Sequence, residues 1–206
     1  MKLIKISLIG LIALSIFSCN KTSEKNENTI STTNKENEKT EKVMYQIDTD
    51  VSVTHWKGSM VGVYAHEGDL KFKSGNYSLS NGNIVGGEFI VDMNSMITTD
   101  DDALYIMAPR EKLIGHLKSA DFFDTDNFPT ATFKISKVNG AEVFGNLTIK
   151  GKTNEEKLTN VKIQDSHLSG TLTFDRQKYG VTYKNTMNDM VLSDDIELNI
   201  EITGIK

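Results

Sequence analysis

An antiparallel β-barrel of about eight strands, all-β except for one short inserted helix, is the fold that residues 43–206 predict. Three features carry this expectation. Apolar and polar residues alternate with period two along nearly the whole stretch. Clusters of Gly, Asn and Lys separate the alternating runs at hairpin spacing. A single segment, Ala103–Ala120, instead carries apolar residues three and four apart.

In chain order, Leu70 and Phe72 alternate with Lys71 and Lys73, and Phe89, Val91 and Met93 alternate with Glu88 and Asp92, across the turn Ser80-Asn81-Gly82-Asn83. The exceptional segment follows, with Leu104, Met107, Leu113, Ile114 and Leu117 at helical spacing. Proline has no N–H to donate, so the helix is expected to begin at Pro109 and run to about residue 119. Asp100, Asp101 and Asp102 suit a preceding turn or cap. Strand signals resume at Phe133 and Ile135, then at Val143, Leu147 and Ile149, with Asn139-Gly140 and Lys150-Gly151-Lys152 as turns. Val161 and Ile163 form another pair, and Leu168, Leu172 and Phe174 another run. The last run sets Ile196, Leu198, Ile200 and Ile202 against Glu197, Asn199 and Glu201. A flat sheet of about eight strands would leave half its apolar face in water, so the sheet must fold over or close. Strands of five to seven residues are expected, short of the roughly 9–11 that cross a bilayer as a barrel.

The charge of −5 is unevenly spread. Residues 1–18 carry +2, residues 20–42 balance five Lys against five Glu, and 43–206 therefore carry −7. An acidic domain without a basic stripe repels phosphate backbones, so nucleic acid is not an expected partner. Lys2 and Lys5, the apolar run Ile6–Phe17 and Ser18-Cys19 read as a signal peptide over residues 1–18. Its end, Ile16-Phe17-Ser18-Cys19, resembles the bacterial lipobox. That resemblance makes Cys19, the sole cysteine, the lipidated first residue of the mature chain. Residues 20–42 have a single apolar residue, Ile30, and with Cys19 are expected to form a lipidated, flexible tether over 19–42. The implied partner is a membrane, through the lipid anchor. Asn20 is not the aspartate of inner-membrane retention, so a periplasm-facing outer-membrane location is expected.

Longer motifs carry a family resemblance. His116-Leu117-Lys118-Ser119-Ala120-Asp121-Phe122-Phe123-Asp124 and Asn127-Phe128-Pro129-Thr130-Ala131-Thr132-Phe133 closely resemble the signature of the YceI-like family. Gly145–Thr153, Phe174–Gly180 and Asp195–Ile205 are similar to further stretches of it, so the resemblance spans roughly 45–206. It implies a lipocalin-like barrel in a secreted or periplasmic protein, without enzymatic chemistry or cofactor. The barrel interior would hold a polyisoprenoid or similar long-chain lipid.

On this reading the inward residues are the candidate lipid contacts. They are Trp56, Leu70 and Phe72 early in the chain, then Phe89, Val91, Met93 and Phe133. Leu147, Ile149, Leu172, Phe174, Leu198 and Ile200 complete the apolar set. Gly145 and Gly170 share the inward parity and would leave room for a ligand, or else mark bulges or bends.

Catalytic chemistry finds no constellation. His55, His66, His116 and His167 are not paired at metal-binding spacing, and no nucleophile elbow or phosphate-binding loop occurs. His66 with Glu67 and Asp69, and the triplet Asp100–Asp102, read as solvated surface. Asp124-Thr125-Asp126-Asn127 begins like a calcium loop but has Pro129 where glycine is required. His116 is expected to sit at the helix end near carbonyls or Asp121, with a polar ligand head at the barrel mouth as the functional alternative. Arg176 is expected to pair locally beside Asp175, a pyrophosphate contact being the alternative. Phe122, Phe123 and Phe128 are expected to close one barrel end. A structural or stress-related envelope lipoprotein with a side-chain-filled barrel, and a hydrolase with an unrecognised site, remain the competing functions.

Overall fold

The computed structural model describes residues 41–61, 64–106, 108–183 and 191–206. The signal peptide, Cys19 and the tether up to residue 40 lie outside these residues. Among the described residues nine strands form: β1 (Lys42–Ile47), β2 (Val53–Val61), β3 (Tyr64–Ser80), β4 (Asn83–Thr98), β5 (Thr130–Asn139), β6 (Glu142–Ile149), β7 (Lys152–Gln164), β8 (His167–Asp175) and β9 (Val191–Ile205). An α-helix, α1 (Arg110–Lys118), lies between β4 and β5, preceded by a 3-10 turn at Asp102–Tyr105. Pro109 occupies its N-cap with ψ at 152°, within a residue of the expected start.

From β2 to β9 each strand pairs antiparallel with the next, and β9 returns to β2, which closes an eight-stranded barrel without a free edge. β1 adds no ninth position to the wall. It pairs with β3 from Lys42↔Ser80 to Gln46↔Asn76 and with β9 at Ile47↔Gly204, whereas β2 pairs with the other ends of both strands. The two are halves of one stave, broken by the turn at Asp48–Ser52. The Ser52 N–H donates to the Asp48 carbonyl at 3.0 Å, and the Thr203 N–H donates to the Ser52 hydroxyl at 3.0 Å. Buried Tyr45 and Ile47 alternate with exposed Met44 and Gln46, but the motif abuts the polar tether and the sequence reading missed this strand.

The strands are longer than expected, at 17 residues for β3, 16 for β4 and 15 for β9. Register shifts explain the difference. Between Phe72 and Ser74 the β3–β4 pairing slips by one, and the inward residues change from Leu70 and Phe72 to Tyr77 and Leu79. Each bulge resets the period-two pattern, so one bent strand reads as two short ones. Strand length therefore does not separate this barrel from a membrane-spanning one. The distribution of residues does: apolar side chains face the interior, while the outer face of β7 presents Glu155, Lys157 and Lys162 to solvent. No described helix is long and apolar enough to cross a membrane.

Candidate functional site

One end of the barrel is filled by its own side chains. Tyr45 and Tyr77 stack at 5.1 Å, and the Tyr77 hydroxyl donates to the Ser166 carbonyl at 2.5 Å. Burial pushes the Tyr77 phenol up to about 12, reinforced by Tyr45. Above this plug the wall encloses a cavity of about 290 Å³, near the lower end of small-molecule sites. Its opposite end lies among Met60, Tyr64, α1, Tyr183 and Leu192.

The structure brings thirteen of the fifteen predicted contacts to this cavity. Trp56, Leu70 and Phe72 line it from β2 and β3, and the Trp56 indole N–H donates to the Ile97 carbonyl at 3.1 Å, which fixes the ring against the wall. Phe89, Val91 and Met93 line it from β4, and Phe133 from β5. Leu147, Ile149, Leu172, Phe174, Leu198 and Ile200 complete the wall. Glu88, Glu197 and Asn199, at the opposite parity, are exposed.

Gly145 and Gly170 do not line the cavity. A Cβ on Gly145 would run into the ring of Phe133, and one on Gly170 would lie 3.0 Å from Leu158 Cγ. Neighbouring side chains occupy the room these glycines leave, so the expectation that they open space for a ligand is corrected. Parity identified the inward glycines but carries no information about which residue leans over them.

Polar groups are sparse in the cavity wall. Thr54 is 2% exposed and its hydroxyl has no hydrogen-bond partner among the described residues. Tyr64, His66, His116 and Tyr183 cluster toward the open end. Among the described lining residues there is no Lys, Arg, Asp or Glu. His116 does not seek Asp121; it faces the cavity, edge-on to Tyr183 at 4.5 Å and to Phe122 at 5.8 Å. Phe122 and Phe123 are buried against the same space, while Phe128 packs over Gly151. The Lys150 ammonium donates to the Ala120 and Phe122 carbonyls at 2.8 Å each and ties this segment across the barrel end.

Asp101 and Asp102 of the aspartate triplet are exposed, as expected, but Asp100 is not solvated surface. The Asp100 side chain is only 5% exposed and is the centre of a network at the open end. It accepts from the Tyr105 hydroxyl at 2.6 Å and from Arg110 at 3.0 Å, and its second oxygen lies 2.7 Å from His66 Nδ1. Arg110 also donates to Thr98 Oγ1, the Asp100 carbonyl and Asp102, and lies over the Tyr105 ring at 4.2 Å. Burial pushes the Asp100 carboxyl up, but the hydrogen bonds from Tyr105, His66 and the Glu67 N–H outweigh it and hold the group below its ordinary range. A close strand approach makes the network possible: any Cβ on Gly68 would collide with the Ile97 carbonyl. Sequence spacing hid this cluster because 34 residues separate His66 from Asp100.

Arg176 has a different partner from the one expected. It is 2% exposed, donates to the Ser193, Val181 and Tyr183 carbonyls, and pairs with Asp194 at 2.9 Å. Asp175 instead caps the following turn by accepting from the Gln177 N–H at 2.8 Å. With its donors spent on the chain's own carbonyls, Arg176 pins the segment after β8 to β9. Among the described residues no group of three or more metal-ligating side chains forms.

Comparison with known proteins bears on the whole domain. The YceI-like domain family matches residues 45–204. A UPF0312 protein of Staphylococcus aureus (strain USA300) is 38% identical over 82 residues, covering 35% of this chain and 48% of that protein. The chain thus spans about half the length of the curated relatives it matches. The crystal structure of Burkholderia cenocepacia BcnA is 20% identical, covers 76% of this chain and 98% of its own, and superposes with a TM-score of 0.57. A polyisoprenoid binding domain from Saccharophagus degradans, implicated in plant cell wall breakdown, is 12% identical with a TM-score of 0.49, covering 78% of this chain and 97% of that one.

Proposed function

The chain belongs to the YceI-like family, and on that premise we propose that its barrel binds or carries a long-chain isoprenoid-type lipid in the cell envelope. The observation that carries this reading is the cavity of about 290 Å³, whose wall is almost wholly apolar, with no charged side chain among the described lining residues. A space of that character does not hold water well, since water needs two to four polar partners. A hydrocarbon chain entering it gains about 25 cal/mol per Å² of apolar surface buried. The competing filled-barrel reading accounts for the Tyr45–Tyr77 plug but leaves the space above it unexplained.

The experiment is to extract the purified full-length protein with organic solvent, identify released lipid by mass spectrometry, and titrate the delipidated protein with polyprenols of increasing length. Affinity should rise with each isoprene unit until the cavity is full and then level off. Absence of any co-purifying lipid, together with no thermal protection by any polyprenol, would favour the filled barrel. Release of a product from an offered lipid would favour a hydrolase.

Attachment to the membrane through lipidated Cys19, with the domain facing the periplasm from the outer membrane, belongs to the same proposal. The single cysteine at the end of a lipobox-like segment and the polar residues that follow support it. Cys19→Ser should move the protein from the membrane fraction to the soluble periplasmic fraction, and equal membrane retention of the variant would overturn the anchor.

A further inference from the structure

We propose that the outer rim of the barrel at its open end rests on a bilayer surface of zwitterionic head groups, through an apolar patch of Val61, Tyr64, Leu104 and Ile106. This rests on the reading of the chain as membrane-attached and adds which end of the barrel meets the bilayer.

Two turns build the patch. Val61 and Tyr64 flank the turn between β2 and β3, and Leu104 and Ile106 flank Tyr105 at the end of the 3-10 turn after β4. The Tyr64 ring is edge-on to His66 at 5.1 Å and His66 lies against Tyr105 at 5.3 Å, so the two turns meet. All four side chains are exposed, Ile106 at 82%. Tyr64 also lines the cavity, which makes the patch continuous with its mouth.

A loop free to rearrange would turn its isoleucine inward. Here the Tyr105 hydroxyl donates to Asp100 at 2.6 Å, the Arg110 guanidinium lies over the Tyr105 ring at 4.2 Å, and Asp101 caps the turn by accepting from the Ala103 N–H at 2.8 Å. The Asp100–Arg110 pair thus holds Leu104 and Ile106 out in water at a fixed place. Side chains already ordered lose little entropy on docking, so they keep most of the gain of about 25 cal/mol per Å² of apolar surface buried.

Chain length and charge select the occupant. Lys42 pairs with Ser80, so the chain enters the barrel at its plugged end. Residues 20–42 span at most about 80 Å at 3.3–3.6 Å each. The longest strand, of 17 residues, is about 55 Å long at 3.3 Å per residue and shorter along the axis of a tilted barrel. An anchor at Cys19 therefore lets the far rim reach the same bilayer. Beside the patch the exposed Asp101, Asp102 and Glu111 outnumber Lys112, which disfavours anionic lipid. Exposed Met44, Val85 and Ile205 toward the plugged end each stand on a different strand and form no such projecting turn.

The test reconstitutes the purified full chain into phosphatidylcholine vesicles with a polarity-sensitive thiol dye on Val61→Cys at the open rim or on Val85→Cys at the plugged end. The wild-type chain is the blank for any dye on Cys19. Iodide in the water should quench the dye at residue 61 far less than the dye at residue 85, and phosphatidylglycerol in the vesicles should narrow the difference. Adding Ile106→Glu to Val61→Cys should lower the shielded fraction about tenfold, the lower end of what burying an isoleucine is worth. Ile106 is exposed, so this substitution leaves the fold intact. Equal quenching at the two sites on vesicle-bound protein overturns the proposal, as does shielding of residue 85 in place of residue 61 or shielding that survives Ile106→Glu. A chain that does not attach to the vesicles at all overturns the anchor and the docking together. Trp56, the only tryptophan, lines the cavity and reports polyprenol binding separately. Shielding at residue 61 without polyprenol binding upholds the docking and overturns the lipid-binding reading alone.

Discussion

The ring of Phe133 on β5 lies over the backbone of Gly145 on β6, in the space that a Cβ at residue 145 would need. Phe133 is thus both a cavity-lining residue and the reason Gly145 must lack a side chain. Gly145→Ala should force the ring aside and cost about 1–3 kcal/mol, the usual range for overpacking a core. For a domain of this size that is a fall of roughly 2–4 °C in melting temperature per kcal/mol. Gly145→Leu should cost more still, and a stabilised Gly145→Leu protein would show that the space beneath Phe133 is free after all.

The same pair shows how far the sequence could be read. Alternation placed the inward face of every strand it detected, because the side-chain period of a strand is fixed by backbone geometry. It also located Pro109 at the start of α1, where the missing N–H leaves one answer. Bulges were invisible to it: the register shift between Phe72 and Ser74 inverts the parity of β3, so one long strand reads as two short ones. Contacts between distant segments were equally hidden. Nothing local marks Asp100 as the partner of His66, Asp194 as that of Arg176, or Phe133 as the occupant of the room at Gly145.

Asp100 makes the domain sensitive to acid. Its folded carboxyl titrates below its unfolded value of about 3.9, so the stability it contributes is full above that value and is lost as the pH falls through the lower, folded one. Asp100→Asn should flatten the acid limb of the stability curve. At neutral pH it should cost about 1–3 kcal/mol, because the His66 Nδ1–H and Arg110 lose their charged acceptor. Urea midpoints from pH 7 downward measure both effects, and an unchanged acid limb in the variant would remove Asp100 as its cause.

Tyr77 acts at the opposite limit. Its phenol is raised by burial to about 12 from an unfolded value of about 10, so the folded state favours the protonated form. The corresponding stability is complete below pH 10 and is lost as the pH rises through about 12. Tyr179, buried and donating to Glu156 at 2.9 Å, is shifted in the same direction. Alkaline unfolding should therefore be shallower in Tyr77→Phe and shallower again with Tyr179→Phe added, as followed by circular dichroism. Tyr77→Phe should also cost about 0.5–1.5 kcal/mol at neutral pH through loss of the hydrogen bond to Ser166.

Thr54 separates the protein's own needs from those of a ligand. Its hydroxyl is buried in the cavity wall without a partner among the described residues, a state that costs about 1–3 kcal/mol relative to a satisfied group. Val has nearly the same shape without the hydroxyl, so Thr54→Val should raise the stability of the delipidated protein by about 1 kcal/mol. A purely hydrocarbon segment at this depth cannot satisfy the hydroxyl either, so the variant should also bind a polyprenol at least as tightly as the wild type. Thermal melts with and without polyprenol read both quantities. If Thr54→Val gained stability but lost affinity, the hydroxyl would be bonded to the ligand itself. The polar end of the lipid would then lie deep in the barrel beside Thr54, and not at the open end.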